Sequence, residues 1–366
     1  MPERIFVCTR IVTPRNTLGP AEVRVDDGRI VAVGRPGRST GAAVELNGTV
    51  LPGLVDLQVN GWGKHDVGAG SPDAIRAISR ALVSHGVTAW CPTIVSSSEP
   101  DRFAALEAVV EAGRKGLDGA RIIGVHLEGP WISKFRKGAH DEAALEAPTE
   151  TALTRSLERH KGLVRIVTLA PELTGGIDAI RYVVGTGAVA SIGHTDASFE
   201  EASVAIDAGA RMATHLFNAM RPLHHREPGV VAAVLNDQRV VAGVIADGIH
   251  LHPATVAMIF RTKGPGRVAL VSDVVSRSDG SSGGAARLKD GTLAGAFASL
   301  GDGVREAVAA GVDVGDVLQA ATLTPADLLR VPVGRLEPGA PADFIVVGED
   351  LRALATYVAG ERVWVR

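Results

Sequence analysis

Four widely separated residues, Glu128, His194, His215 and Asp273, each lie just after a short apolar run that reads as a buried β-strand. A Glu and two His can hold Zn²⁺ or a similar ion while leaving positions open for water and substrate, as a catalytic rather than structural site requires. Such an ion lowers the pKa of bound water toward ~7 and polarises a carbonyl oxygen. A nearby carboxylate such as Asp273 can accept the water's proton and later deliver it to a leaving amine. The constellation reads as hydrolysis of an amide. Taken singly, each residue has a plainer reading. A His after a strand is ordinarily a hydrogen-bonded structural residue, and an Asp there is often a helix N-cap. Coincidence at four strand ends is harder to accept than coincidence at one.

Apolar runs of strand length alternate with longer segments of helical period, which predicts repeated βα units and a parallel sheet. The strand candidates are Leu51–Leu57, Val87–Cys91, Ile122–Leu127, Val164–Leu169, Ala188–Ile192, Met212–Thr214, Val240–Ala246 and Val268–Val271. Helices are expected over Pro72–Ser84, Pro100–Arg114, Thr149–His160, Ile177–Val184, Phe199–Ala208 and His252–Arg261, several preceded by Ser, Thr or Asp as N-caps. Eight parallel strands with outer helices make an α/β fold of the (β/α)₈ type, a TIM-like barrel, and residues 51–332 fit its roughly 250-residue norm. In that architecture the C-terminal ends of the strands open onto one face, which gives the four polar residues a common address.

The ends of the chain follow a different rhythm. Residues 1–50 carry short β-rich runs broken by Asp26-Asp27-Gly28 and Asn47-Gly48, which read as hairpin turns, and residues 333–366 repeat the style. Each piece alone is too short to bury much core, so the two are expected to meet in one small β-sandwich domain. The Ser/Gly-rich stretch Ser276–Ala286 is the candidate for a mobile loop.

Composition narrows the function classes. With 46% hydrophobic and 22% charged residues the 366-residue chain can bury a large core, and its net charge of −3 offers no cationic excess for nucleic acid. No apolar run approaches the ~18 residues of a membrane span, and the start lacks a basic stretch leading into an apolar core. A cytoplasmic protein with no nucleic-acid or membrane partner is expected. Cys8 and Cys91 are the only cysteines, unpaired by any Cys-x-x-Cys spacing, and read as buried inert thiols.

Longer motifs carry a resemblance that spacing alone does not supply. They include Leu51-Pro52-Gly53-Leu54-Val55-Asp56, His126-Leu127-Glu128-Gly129-Pro130-Trp131, Lys137-Gly138-Ala139-His140, Ser191-Ile192-Gly193-His194-Thr195 and Thr214-His215-Leu216-Phe217-Asn218-Ala219-Met220. Arg226-Glu227-Pro228-Gly229, Ala246-Asp247-Gly248-Ile249-His250 and Ala320-Ala321-Thr322-Leu323-Thr324-Pro325-Ala326 continue the pattern over nearly the whole chain. The sequence resembles the amidohydrolase superfamily, and within it the branch that deacetylates amino-sugar phosphates. The resemblance implies Glu128, His194 and His215 as metal ligands and Asp273 as catalytic acid and base. It further implies His140 beside the scissile amide, Ala139, Asn218 and Ala219 against the sugar, Arg226 and His250 on the phosphate with Asp247 in the same motif, and Leu293-Ala294-Gly295 closing over the ligand. A homodimer follows from the same resemblance, as one phosphate contact commonly crosses the interface. The expected reaction is hydrolytic deacetylation of N-acetylglucosamine 6-phosphate.

Two departures stand out. Where many amidohydrolases open the barrel with a His-x-His pair that binds a second metal, this chain reads Gln58-Val59-Asn60. Neutral amides are poor zinc ligands, so one divalent ion per chain, Zn²⁺, is expected. After Asp273, where the family has small residues, the chain has Val274-Val275-Ser276-Arg277-Ser278, which could narrow the pocket, add a phosphate contact or only decorate a loop. Three alternatives stay open: the galactosamine epimer of the substrate, an unphosphorylated N-acyl compound, and a catalytically silent binding barrel.

Overall fold

Short Val-, Ile- and Ala-rich runs, apolar on both faces, suit parallel strands trapped between an inner core and a layer of helices. The computed structural model, which describes residues 4–37, 43–277 and 284–366, places eight of them in a barrel. They are Leu54–Val59, Val87–Val95, Val125–Glu128, Val164–Leu169, Val189–Ile192, Met212–Ala213, Val241–Val244 and Val268–Leu270. Each pairs in parallel with the next, from the first to the eighth. Val55, Leu57, Ala89, Ile166, Met212 and Ala269 pack with their neighbours in one buried cluster. Side chains such as Trp90, Leu127, Val167 and Val244 belong instead to a larger cluster shared with helix residues such as Ile78, Leu106, Ile180 and Ile259.

The barrel closes along a seam of polar bonds rather than a full ladder. The Asp273 amide donates to the Gln58 carbonyl at 2.9 Å, and the Asn60 amide donates to Val274 at 2.8 Å. Buried Asp56 on the first strand accepts from the Ser272 amide at 3.2 Å. The seam therefore runs through the segment that carries Asp273. The expected strand Ile122–Leu127 is split into Arg121–Ile122 and Val125–Glu128. Gly124 in the gap has φ 144°, and a Cβ there would stand 2.1 Å from the Arg165 side chain.

Helices fall where caps and periodicity place them. Pro72–Leu82 starts at Ser71, whose hydroxyl accepts from the Ala74 amide, and Phe199–Asp207 starts with a Ser198/Glu201 capping box. Four further helices, Gly229–Asn236, Leu300–Ala309, Val314–Ala321 and Leu323–Leu328, complete the outer layer. Among the described residues no helix is long and apolar enough to cross a membrane. Cys8 and Cys91 are buried, free thiols, and burial pushes both above their ordinary pKa.

Residues from both ends of the chain share one further sheet. Its order runs Glu361–Val365, Ala353–Val358, Phe344–Val347, Ala43–Pro52, Arg4–Val12, Ala21–Asp26, Arg29–Gly34. Phe6, Phe344 and Tyr357 form an aromatic nucleus, with Phe344 and Tyr357 stacked at 4.6 Å. Asp27-Gly28 makes the expected tight hairpin turn, both residues having positive φ (44° and 71°). Asn47-Gly48 does not. It lies inside the continuous strand Ala43–Pro52, between two partner strands, and marks a shift in register against Arg4–Val12. Gly48 is there for close approach, since a Cβ would stand 2.7 Å from the Val347 carbonyl. The loop expected over Ser276–Ala286 lies largely outside the described residues.

Candidate active site

At the C-terminal mouth of the barrel, the third strand ends on Glu128, and the loops after the fifth, sixth and eighth strands bring in His194, His215 and Asp273. Alternation along His126-Leu127-Glu128 points Glu128 and His126 to the same side, into the barrel. The other three leave their strands through left-handed backbone, with φ of 48° at His194, 30° at His215 and 51° at Asp273. Such conformations cost roughly 1–3 kcal/mol each in non-glycine residues and persist where the surroundings hold them. Here they turn side chains that would otherwise follow the strand toward one point. All four residues are buried.

Glu128 Oε1 lies 3.2 Å from His194 Nε2 and 3.0 Å from His215 Nε2, and the two imidazole nitrogens are 3.1 Å apart. His194 Nδ1 faces the Arg136 carbonyl at 2.9 Å. A carbonyl only accepts, so Nδ1 carries the proton and Nε2 turns a lone pair into the cluster. Burial opposes the Glu128 charge, yet its contacts with His194 and His215 hold the carboxyl well below the usual range. Burial likewise pulls His215 down, and the hydrogen bond and charge of Glu128 outweigh it and leave the ring raised. Three donor atoms within 4.8 Å of one another, on buried side chains rich in lone pairs, could hold a metal ion. The donor set fits a divalent cation with coordination positions left open.

Gln58 and Asn60 add a feature of their own. The Gln58 side-chain amide donates to Glu128 Oε1 and to Asp273 Oδ1, each at 2.9 Å, and Asn60 Nδ2 donates to the same Asp273 oxygen at 2.8 Å. Amide hydrogens thus occupy the ground where a second cation would need lone pairs. Burial and the Glu128 charge push Asp273 up to about 7, against the opposing pull of His215, His250 and Asn60.

His140 packs edge-on against His194 at 4.4 Å between ring centres. The Ser96 amide donates to His140 Nδ1 at 3.3 Å, and the Ser96 hydroxyl lies 2.7 Å from the same atom. Nδ1 is therefore the acceptor and Nε2 bears the hydrogen. Burial, and after it the neighbouring His194, lower this ring to about 3, so it is neutral near pH 7.

These residues share a cavity of about 460 Å³ with Ala139, Asn218, Ala219, His250, Leu293, Ala294 and Gly295. Leu293–Ala296 is one arm of a hairpin, and it bonds directly to the segment that carries Asp273, Ala296 N donating to Asp273 O at 3.0 Å. Gly295 is obligatory in that arrangement: its φ is 108°, and a Cβ would stand 2.4 Å from Val275 Cγ1. Val275 lines the cavity, whereas Arg277 lies outside it with its guanidinium 4.1 Å over the Phe297 ring. Two expected substrate contacts are also outside. Asp247 sits behind His250 and accepts its Nδ1 hydrogen at 2.7 Å. Arg226 lies on an exposed loop, its guanidinium against His225.

Sequence reasoning missed the support beneath the cluster. His126 bonds Leu57 O and Thr168 Oγ1, and the Thr168, Thr214 and Ser191 hydroxyls connect at 2.6 Å. Ser96, which fixes the His140 tautomer, was missed as well. Inward alternation places His126 two residues before Glu128 on the same strand and is the signal that finds it.

Comparison with known proteins agrees with this geometry. The amidohydrolase family model matches residues 49–363. An N-acetylglucosamine-6-phosphate deacetylase of Bos taurus is 39% identical, over 87% of this chain and 85% of its own length. An N-acetylgalactosamine-6-phosphate deacetylase of Shewanella is 34% identical, over 87% and 84%. The structure of a mutant N-acetyl-D-glucosamine-6-phosphate deacetylase from Mycobacterium smegmatis, in complex with N-acetyl-D-glucosamine-6-phosphate, superposes with a TM-score of 0.93 at 34% identity, covering 99% of both chains. The chain belongs to the amidohydrolase family and, within it, to the N-acetylglucosamine-6-phosphate deacetylases.

Proposed function

We propose that this protein hydrolyses the acetamido group of N-acetylglucosamine 6-phosphate to acetate and glucosamine 6-phosphate, using one zinc ion held by Glu128, His194 and His215. The observation that carries the reading is the convergence of those three donors one amide away from a buried carboxylate, on the wall of a sugar-sized cavity. Zinc suits two imidazoles and a carboxylate, and when bound it would acidify a water toward neutrality and polarise the acetyl carbonyl. Asp273 takes the water's proton and passes it to the departing amine. Its Oδ1 is held by Gln58 and Asn60, while Oδ2 accepts no hydrogen bond among the described residues and is left to carry that proton. His140, a neutral Nε2–H donor, stabilises the oxyanion.

Ala139, Asn218, Ala219 and the Leu293-Ala294-Gly295 arm hold the sugar, and His250, oriented by Asp247, takes the phosphate. Arg226 reaches the phosphate of a neighbouring copy in a homodimer, a reading supported by its exposure away from its own cavity. The ionised substrate does not cross lipid unaided, which supports a cytoplasmic setting. Residues 1–50 with 333–366 act as the β-domain and 51–332 as the catalytic barrel, a division supported by the pairing of Phe344–Val347 with Ala43–Pro52.

Acetate release by zinc-loaded protein tests the proposal, with N-acetylglucosamine 6-phosphate, its galactosamine epimer and unphosphorylated N-acetylglucosamine compared by kcat/KM. A strong preference for the phosphorylated glucosamine is expected. Equal turnover of the unphosphorylated sugar, or no turnover of any, overturns it. The Shewanella relative favours the epimer as the second reading, and this comparison decides between them. Metal analysis of the same sample should give one tightly held ion per chain, and two would contradict the role given to Gln58 and Asn60. His140→Ala should keep the metal and lower kcat by roughly 10²–10³-fold, the usual weight of one oxyanion donor, with KM changed much less.

A further inference from the structure

The N-terminal mouth of the barrel, opposite the candidate active site, is bordered by arginines. Arg165 opens the fourth strand, Arg211 precedes the sixth, Arg239 the seventh and Arg267 the eighth, and Arg330 follows the last helix. All five line one cavity of about 740 Å³, where Asp327 is the only carboxylate among the described lining residues. Two of these charges are already answered. Arg239 pairs with Asp237 and Asp207, and Asp327 is taken by Arg335.

Arg165, Arg211, Arg267 and Arg330 make no ion pair among the described residues. Arg165 bonds the Leu329 carbonyl, Arg211 the Ile206 and Ala210 carbonyls, and Arg267 the Gln238 and Gly266 carbonyls. Those contacts orient the guanidiniums and leave most of their N–H donors unused, since each carries five. The stem of Arg165 is seated in the space that Gly124 leaves open. This mouth of a barrel ordinarily serves stability. Four uncompensated like charges repel one another and add none, and the chain as a whole is net negative at −3. Planar guanidinium forks match phosphate oxygens two at a time. Arg165, Arg211 and Arg267 stand at three different strands of the rim and Arg330 follows the last helix, so the forks are presented from separate elements and suit more than one phosphate group. Val184, Val189 and Leu328 give the cavity an apolar wall for the body of a ligand.

We propose that this cavity is a second binding site, taking a small molecule that carries two or more phosphate groups. Nucleotides and sugar bisphosphates share that chemistry. Calorimetric titration of the metal-loaded protein with adenosine 3′,5′-bisphosphate and, separately, fructose 1,6-bisphosphate tests it and distinguishes the two sources, with inorganic phosphate as reference. One bisphosphate should bind at one per chain, ~10-fold or more tighter than inorganic phosphate, and weaken as salt is raised. The double variant R211Q/R267Q should lose that affinity by ~10-fold or more while kcat on the acetylated sugar phosphate is unchanged. R330Q, which breaks no hydrogen bond among the described residues, repeats the test without touching the strands. The proposal fails if neither bisphosphate outbinds inorganic phosphate, or if both variants bind as tightly as the parent, which would put the ligand elsewhere.

Discussion

Asp273→Asn should keep its metal and its fold and lose turnover by roughly 10²–10⁴-fold, the range that a positioned acid–base group contributes. Only one of the two Asp273 oxygens is tied among the described residues. Gln58 and Asn60 both donate to Asp273 Oδ1, at 2.9 and 2.8 Å, and the Asn carbonyl oxygen can accept both bonds unchanged. The seam that closes the barrel uses the residue's backbone amide, so it too survives. What disappears is the ability of the second oxygen to take a proton and return it. The pH profile gives an independent check. Burial and the Glu128 charge push the Asp273 carboxyl up to about 7. A raised carboxyl is protonated, and useless as a base, below that value, so kcat/KM should fall about tenfold per pH unit on the acid side. A divalent cation next to Asp273 favours its ionised form and moves that limb below pH 7. The Asn variant should show no such limb in its residual activity. Near-parental kcat, or an unchanged acid limb, would remove Asp273 from the reaction.

How much of this could be read from the chain depends on which physical signal each part leaves. The barrel strands were legible because each is a short apolar run flanked by polar or turn residues, and the candidate site was legible because four such endings carry groups of a kind that can do chemistry, which the fold brings to one cavity. Gly229–Asn236 left no trace of that kind. It is buried on nearly every side, so it has no polar stripe to set a helical period. Asn47-Gly48 misled for the opposite reason: the pair that makes a tight turn also permits close approach of strands, and only the neighbouring strand around Val347 decides between them. His126, Thr168, Ser191 and Thr214 each look like an ordinary strand residue, and their connection appears only when four strands stand side by side. The unusual segment after Asp273 divides in the same way. Val275 narrows the cavity and fixes the need for Gly295, while Arg277 turns to Phe297, a distinction of side-chain direction that sequence does not carry.

Glu128→Gln should produce the complementary failure, loss of the metal itself. Glu128 Oε1 is the atom that faces both His194 and His215, and the Gln58 amide already donates to it at 2.9 Å. A glutamine there has two orientations, and neither restores the site. With its oxygen toward the histidines it offers a neutral, weaker ligand. With its nitrogen there it sets N–H against N–H from Gln58 and leaves the cluster without an anionic donor. Groups that merely orient a ligand are worth roughly 10–100-fold in metal affinity, so the ligand itself should be worth more. Metal analysis after desalting should find the parent and Asp273→Asn loaded and Glu128→Gln largely empty, with activity lost in both variants. Adding zinc in excess should recover part of the Glu128→Gln activity and none of the Asp273→Asn activity. Full metal occupancy in Glu128→Gln would mean that the histidines suffice and that the carboxylate serves only to orient them. The pair of variants therefore separates holding the ion from moving the proton, two tasks that the Gln58 side chain joins by bonding to both carboxylates at once.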